Sequence, residues 1–145
     1  MSNWGGMPSN AGASAARARP LSGVRVLLVE DDQDARELLD AFLRLEGADV
    51  ATAADASAGF AQMLRFKPTI LLSDIGLPGE DGYSLMRRCR GLPSDGSTVP
   101  AIAITAFCRP EDKAKSLAAG FNCHLCKPLD LDEVVASIQR LLPKG

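Results

Sequence analysis

Thr69-Ile-Leu-Leu-Ser-Asp74, running on into Ile75-Gly-Leu-Pro-Gly-Glu-Asp-Gly82, is an apolar run that ends in a carboxylate beside a glycine-rich turn. A run of this length bounded by turn residues predicts a buried strand. Where buried parallel strands end, a sheet presents its reactive edge. Three further runs also end in polar or charged groups. Val24-Arg-Val-Leu-Leu-Val29 leads to Glu30 and Asp31, Ala101-Ile-Ala-Ile104 to Thr105, and Phe121-Asn-Cys-His-Leu-Cys126 to Lys127. Three acids, one hydroxyl and one amine thus close four separate strand candidates.

On either side of this stretch, strand candidates at roughly 24-29, 48-53, 69-73, 100-104 and 122-126 alternate with helix candidates near 33-46, 56-66, 82-91, 110-119 and 130-142. Ala35, Leu38, Leu39, Phe42 and Leu43 form one apolar stripe, and Leu131, Val134, Val135, Ile138, Leu141 and Leu142 another. Asp130 with Glu133 predicts a capping box, Asp32 an N-cap, Pro110 a first helical position, and Gly47 and Gly120 helix ends. The first, third and fourth strands are nearly all apolar, as central strands covered on both faces must be, while 48-53 is more mixed. Strict alternation of strand and helix requires right-handed crossovers and hence a doubly wound parallel α/β sheet.

The chain has 145 residues, 46% hydrophobic and 23% charged, which fits one soluble domain with a real core. A net charge of -2 with interspersed signs gives no electrostatic reason for direct nucleic-acid or membrane binding. No run is long enough to span a bilayer and no signal peptide is evident, so a cytoplasmic location is expected. Residues 1-22, rich in Ser, Gly, Ala and Asn, read as a flexible leader or linker before a domain at 23-143. Cys89, Cys108, Cys123 and Cys126 read as reduced thiols, in part core filler. The C-x-x-C pair Cys123 and Cys126, with His124, lacks the second ligand pair a zinc site would need.

Glu30, Asp31 and Asp74 would share a small volume at the sheet edge, where their charges repel unless a cation or lysine offsets them. An oxygen-rich site with few carboxylates and room for water suits Mg²⁺. Thr105 and Lys127 could bind the remaining oxygens of a phosphoryl group, whose transfer depends on positioning and charge stabilisation. No serine, cysteine or histidine at this edge is paired with a general base, which leaves Asp74 as the nucleophile.

The ordered set Val29-Glu-Asp-Asp32, Ser73-Asp-Ile-Gly-Leu-Pro-Gly79, Ile104-Thr-Ala106 and Cys126-Lys-Pro128 resembles the receiver domains of two-component response regulators, from about Val24 to Leu142. The resemblance implies a flavodoxin-like (βα)5 fold with strand order 2-1-3-4-5. It further implies Asp74 as phosphoacceptor, Glu30 and Asp31 as the Mg²⁺-binding acid pair and the Gly76 carbonyl as a backbone metal ligand. By the same likeness, Thr105 is the switch hydroxyl, Lys127 pairs with the phosphoryl group, and the Lys127-Pro128 bond is cis. Two departures stand out. Glu30 occupies a place often held by aspartate, and His124 stands three before the lysine, where many members carry a switching Tyr or Phe. His124 is therefore the switch candidate, and histidine there is similar to receivers of hybrid sensor kinases.

The implied function is a signalling module, not an enzyme on external substrates, which catalyses its own phosphorylation and dephosphorylation. Its expected partners are a sensor histidine kinase or a histidine phosphotransfer protein, with a phosphorylation-dependent homodimer as a further expectation. Partners would dock on the face formed by 110-119, 122-126 and 130-142. With no output domain expected after Gly145, the chain reads as a stand-alone receiver or the C-terminal receiver of a hybrid kinase. Two alternatives are a receiver-like interaction domain that works without phosphate, and an aspartate-nucleophile phosphatase. The latter needs a second acid two residues after the nucleophile, where this chain has Gly76.

Overall fold

The apolar runs become five parallel strands because each is followed by a helix long enough to return the chain to the same end of the sheet. In the computed structural model, which describes residues 19-93 and 95-142, the order is β1 (Arg25–Val29), α1 (Gln33–Leu45), β2 (Asp49–Ala53), α2 (Ala56–Phe66) and β3 (Ile70–Asp74). α3 (Gly82–Arg90), β4 (Ala101–Thr105), α4 (Pro110–Ala119), β5 (Cys123–Cys126) and α5 (Leu131–Leu141) follow. The sheet order is β2-β1-β3-β4-β5, the flavodoxin-like arrangement expected.

Every residue of β3 and β4 is buried, whereas the edge strand β2 mixes buried and exposed positions. The two-residue period of the strands sorts their side chains into two cores. Leu27, Val29, Leu71, Ala101 and Ala103 meet Met63, Leu85 and Met86 of α2 and α3 on one face. Val26, Leu28, Leu72, Ile102 and Ile104 meet Leu39 and Leu43 of α1 and Val134 and Ile138 of α5 on the other. Leu38 departs from its expected stripe and is 64% exposed, because the seam of α1 on the sheet runs through Leu39 and Leu43.

The Asp32 side chain accepts the N–H groups of Asp34 and Ala35, so it caps α1 as expected. Asp130 accepts those of Asp132 and Glu133 at α5, and Pro110 opens α4. Gly47 and Gly120 end α1 and α4 with φ of 105° and 115°, a conformation that glycine adopts without a Cβ clash. A short 3₁₀ turn, Asp95–Ser97, lies in the connection to β4, where no periodicity signals it.

Most of the expected leader lies outside the described residues. Its last part belongs to the packed unit: Leu21 is fully buried in the α1/α5 core, and its N–H donates to the Glu46 carbonyl. Among the described residues, no helix is long and apolar enough to cross a membrane.

Candidate functional site

The parallel register brings the ends of the central strands to one edge. Val29 lies opposite Ser73, Asp74 opposite Ile104, and Thr105 opposite Cys126, so Glu30, Asp74, Thr105 and Lys127 all emerge together. The loop after β3 is held tightly. Gly82 N–H donates to the Ile75 carbonyl, and a Cβ at Gly82 would stand 2.4 Å from the Asp74 carbonyl oxygen. Glycine is what lets α3 start this close to the end of β3.

Glu30 and Asp74 are only 2% and 7% exposed, which for acids requires partners. Lys127 supplies them: its Nζ donates to Glu30 Oε1 and Asp74 Oδ2, each at 2.8 Å. The second oxygens are also satisfied. Asp32 N–H donates to Glu30 Oε2 at 3.2 Å, and Gly76 N–H donates to Asp74 Oδ1 at 3.0 Å. The Arg36 guanidinium braces the β1–α1 turn by donating to the carbonyls of Glu30 and Asp31 at 2.9 and 3.4 Å. No motif in the sequence pointed to Arg36; its position one turn into α1 was the only available sign.

Burial pushes the Glu30 carboxyl above its ordinary range, helped by the charge of Asp74 and opposed by hydrogen bonds from Lys127 and the Asp32 backbone. For Lys127, burial disfavours the ammonium, but hydrogen bonds and charges from Asp74 and Glu30 outweigh it and raise its pKa. One ammonium therefore holds two acids in a site short of solvent. Asp31, exposed at the rim, adds a third carboxylate, and oxygens of Glu30, Asp31 and Asp74 lie within 4.8 Å of one another. Hard oxygen donors open to water on one side fit Mg²⁺ better than any soft metal.

Thr105, 1% exposed, accepts the Phe107 N–H on its hydroxyl at 3.0 Å, and its carbonyl accepts the Lys127 N–H at 2.8 Å. His124 is placed apart from the acids. Its Nδ1 pairs with Ser116 Oγ of α4 at 2.9 Å and its Nε2 with the Phe107 carbonyl at 3.1 Å, so it ties β5 to α4 and to the loop after Thr105. The Lys127-Pro128 bond is cis, as the motif implied.

The cysteine reading needs correction. Cys108 and Cys126 form a disulfide, with Cα atoms 6.0 Å apart, well inside the usual range. Opposition of Thr105 and Cys126 across β4 and β5 lets the loop return Cys108 to that sulfur. Cys123 and Cys126, an odd number of positions apart on one strand, face opposite ways and stay unlinked. Cys89 is core filler, and burial pushes its thiol up to about 11.

Residues 26–139 match the family described as response regulator receiver domain. The chain belongs to the response regulator receiver family. As a receiver domain it is 42% identical, over 83% of its length and 91% of the other's, to a 14.6 kDa protein in the sodA1 3' region of Leptolyngbya boryana. It is 34% identical to hybrid signal transduction histidine kinase D of Dictyostelium discoideum over 86% of this chain but only 8% of the kinase. Among solved structures, the receiver domain of sensor histidine kinase PA1611 from Pseudomonas aeruginosa, with a magnesium ion coordinated in its active site cleft, shares 35% identity. That match has a TM-score of 0.76 and covers 83% of this chain and 98% of the other. The chain also spans about half of transcriptional regulators such as PrrA of Mycobacterium tuberculosis, 49% of whose length it covers. The two-component receiver fold is therefore the common element of proteins with very different remainders.

Proposed function

We propose that this receiver, spanning residues 23-143 with Leu21 tucked beneath, takes a phosphoryl group onto Asp74 from a phosphohistidine donor. The observation that carries the reading is the sharing of one ammonium, Lys127, between two buried acids, Glu30 and Asp74, at 2.8 Å each. An arrangement that crowds charge without a structural need for it is characteristic of a site prepared for a ligand.

Glu30, Asp31, the Asp74 carboxylate and the Gly76 carbonyl would hold Mg²⁺, which supplies charge neutralisation for the phosphoryl oxygens when bound. An Asp74 oxygen attacks phosphorus, forming the new P–O bond as the bond to the donor imidazole nitrogen breaks. The Gly76 N–H fixes the other oxygen, so the attacking one keeps a defined direction. Lys127 follows the charge from the carboxylate to the transferred group. Thr105 can donate its hydroxyl proton to a phosphoryl oxygen, and because that hydroxyl also accepts the Phe107 N–H, its movement pulls on the loop before α4. His124, bonded to Phe107 and Ser116, would carry the same movement to β5 and α4. The output is thus a shift in the α4-β5-α5 face, read by a histidine kinase, a phosphotransfer protein or a second copy of the chain.

Intact-protein mass spectrometry after incubation with acetyl phosphate and Mg²⁺ tests this. The expected result is one phosphoryl adduct, absent with EDTA and absent in Asp74→Asn. No adduct, together with no response to beryllofluoride, would leave a receiver fold that works by contact alone.

A further inference from the structure

The Cys108–Cys126 bridge crosses the part of the molecule that the proposed switch must move. Cys108 lies three residues past Thr105, and Cys126 lies opposite Thr105 in the ladder and immediately precedes Lys127. The Cys108 sulfur sits 3.5 Å from the Thr105 carbonyl, the acceptor of the Lys127 N–H. Phe107, next to Cys108, holds both the Thr105 hydroxyl and His124. Both half-cystines are partly exposed, unlike the buried Cys89. Reagents that exchange thiols can therefore reach them while leaving the core cysteine alone.

We propose that Cys108 and Cys126 form a redox-sensitive modification site that governs how far the loop between β4 and α4 can respond to phosphorylation. The proposal rests on the phosphoacceptor reading above. With a low-molecular-weight disulfide as oxidant, one cysteine thiolate attacks a reagent sulfur, forming a mixed disulfide and expelling one reagent thiolate. The second cysteine thiolate then attacks the protein sulfur, closing the Cys108–Cys126 bond and expelling the other. The two protons leave with the reagent thiols, and two electrons pass from the cysteine pair to the reagent. A dithiol reductant reverses both steps. When closed, the bridge ties the loop to the end of β5; when open, Thr105 and Phe107 are free of that tether.

The test uses full-length protein equilibrated with oxidised glutathione or with dithiothreitol, alongside Cys108→Ser and Cys126→Ser. Non-reducing peptide mapping should find Cys108 joined to Cys126, not to Cys123 or Cys89. Hydrogen exchange over 106-119, with and without beryllofluoride and Mg²⁺, reads the switch, and acetyl phosphate uptake reads the phosphoacceptor. The reduced protein and both serine variants should take up phosphate and change exchange over 106-119. In the oxidised protein that change should shrink about fivefold or more, the low end of allosteric couplings, and return on reduction. Equal responses in both redox states would overturn the proposal while leaving the phosphoacceptor intact. So would retention of zinc by the reduced protein through Cys108, His124 and Cys126, whose ligand atoms lie within 4.8 Å of one another. Failure of the reduced protein to take up any phosphoryl group would instead remove the phosphoacceptor reading, and this proposal with it.

Discussion

The interior of the sheet and the inner part of its carboxyl edge are both buried but are built on opposite terms. Inside, Leu71, Leu72, Ile102 and Ile104 are fully covered by apolar neighbours, and burial itself stabilises them. At the edge, Glu30, Asp74 and Thr105 are nearly as inaccessible, yet burial there works against the charge of Glu30. The same strands that fill the core end in groups that would be more comfortable in water, which is where a proposed phosphoacceptor site would trade stability for chemistry.

Substitutions that act on one side of this contrast should separate it cleanly. The largest loss is expected for Ile102→Ala, about 3 kcal/mol in urea unfolding, because a central strand leaves a cavity that cannot collapse. The folded fraction of that variant should still accept phosphate. Lys127→Ala should lose about 2 kcal/mol, since it leaves two buried acids unpaired in a site that is partly open to water. Mg²⁺ should recover part of that loss but have little effect on the stability of Ile102→Ala, a difference visible in paired melts.

Asp74→Asn should move the other way. Removing one of the two acids that compete for Lys127 should leave stability within about 1 kcal/mol of the parent or above it, while phosphoryl uptake disappears. A clear destabilisation would mean that Asp74 is structural. The smallest effect concerns pH. The Glu30 carboxyl is raised above 4.5, so on acidification it takes up a proton earlier than an ordinary glutamate and ceases to attract a cation. Calorimetry should therefore show Mg²⁺ affinity weakening at higher pH than an ordinary glutamate ligand would give, by at most about 1.4 kcal/mol per pH unit for one proton. Glu30→Gln should flatten that part of the profile.

Much of this contrast was legible in the sequence because both halves of it are local. Apolar runs and their periodicity located the strands and helices, and the acids, Thr105 and Lys127 were conspicuous as the residues that ended those runs. That a lysine could offset the acids was legible, but not that one ammonium reaches Glu30 and Asp74 at once, since that depends on distances from β1 across to β5. The Cys108–Cys126 bridge was hidden for a related reason. It follows from the register of β4 on β5 and from the return of a loop, while the nearer C-x-x-C spacing draws attention to a pair that the strand's alternation keeps apart. Leu38 looked like core from its spacing alone, but which flank of a stripe meets the sheet is decided by packing.

The central claim, that the edge is organised around Asp74 as an acceptor, is tested most directly by locating the phosphoryl group. Aspartyl phosphate is reduced by borohydride to homoserine, so protein treated with acetyl phosphate and Mg²⁺, reduced and digested, should show homoserine at position 74 and nowhere else. Homoserine at another acid, or its appearance at position 74 without Mg²⁺, would contradict the account.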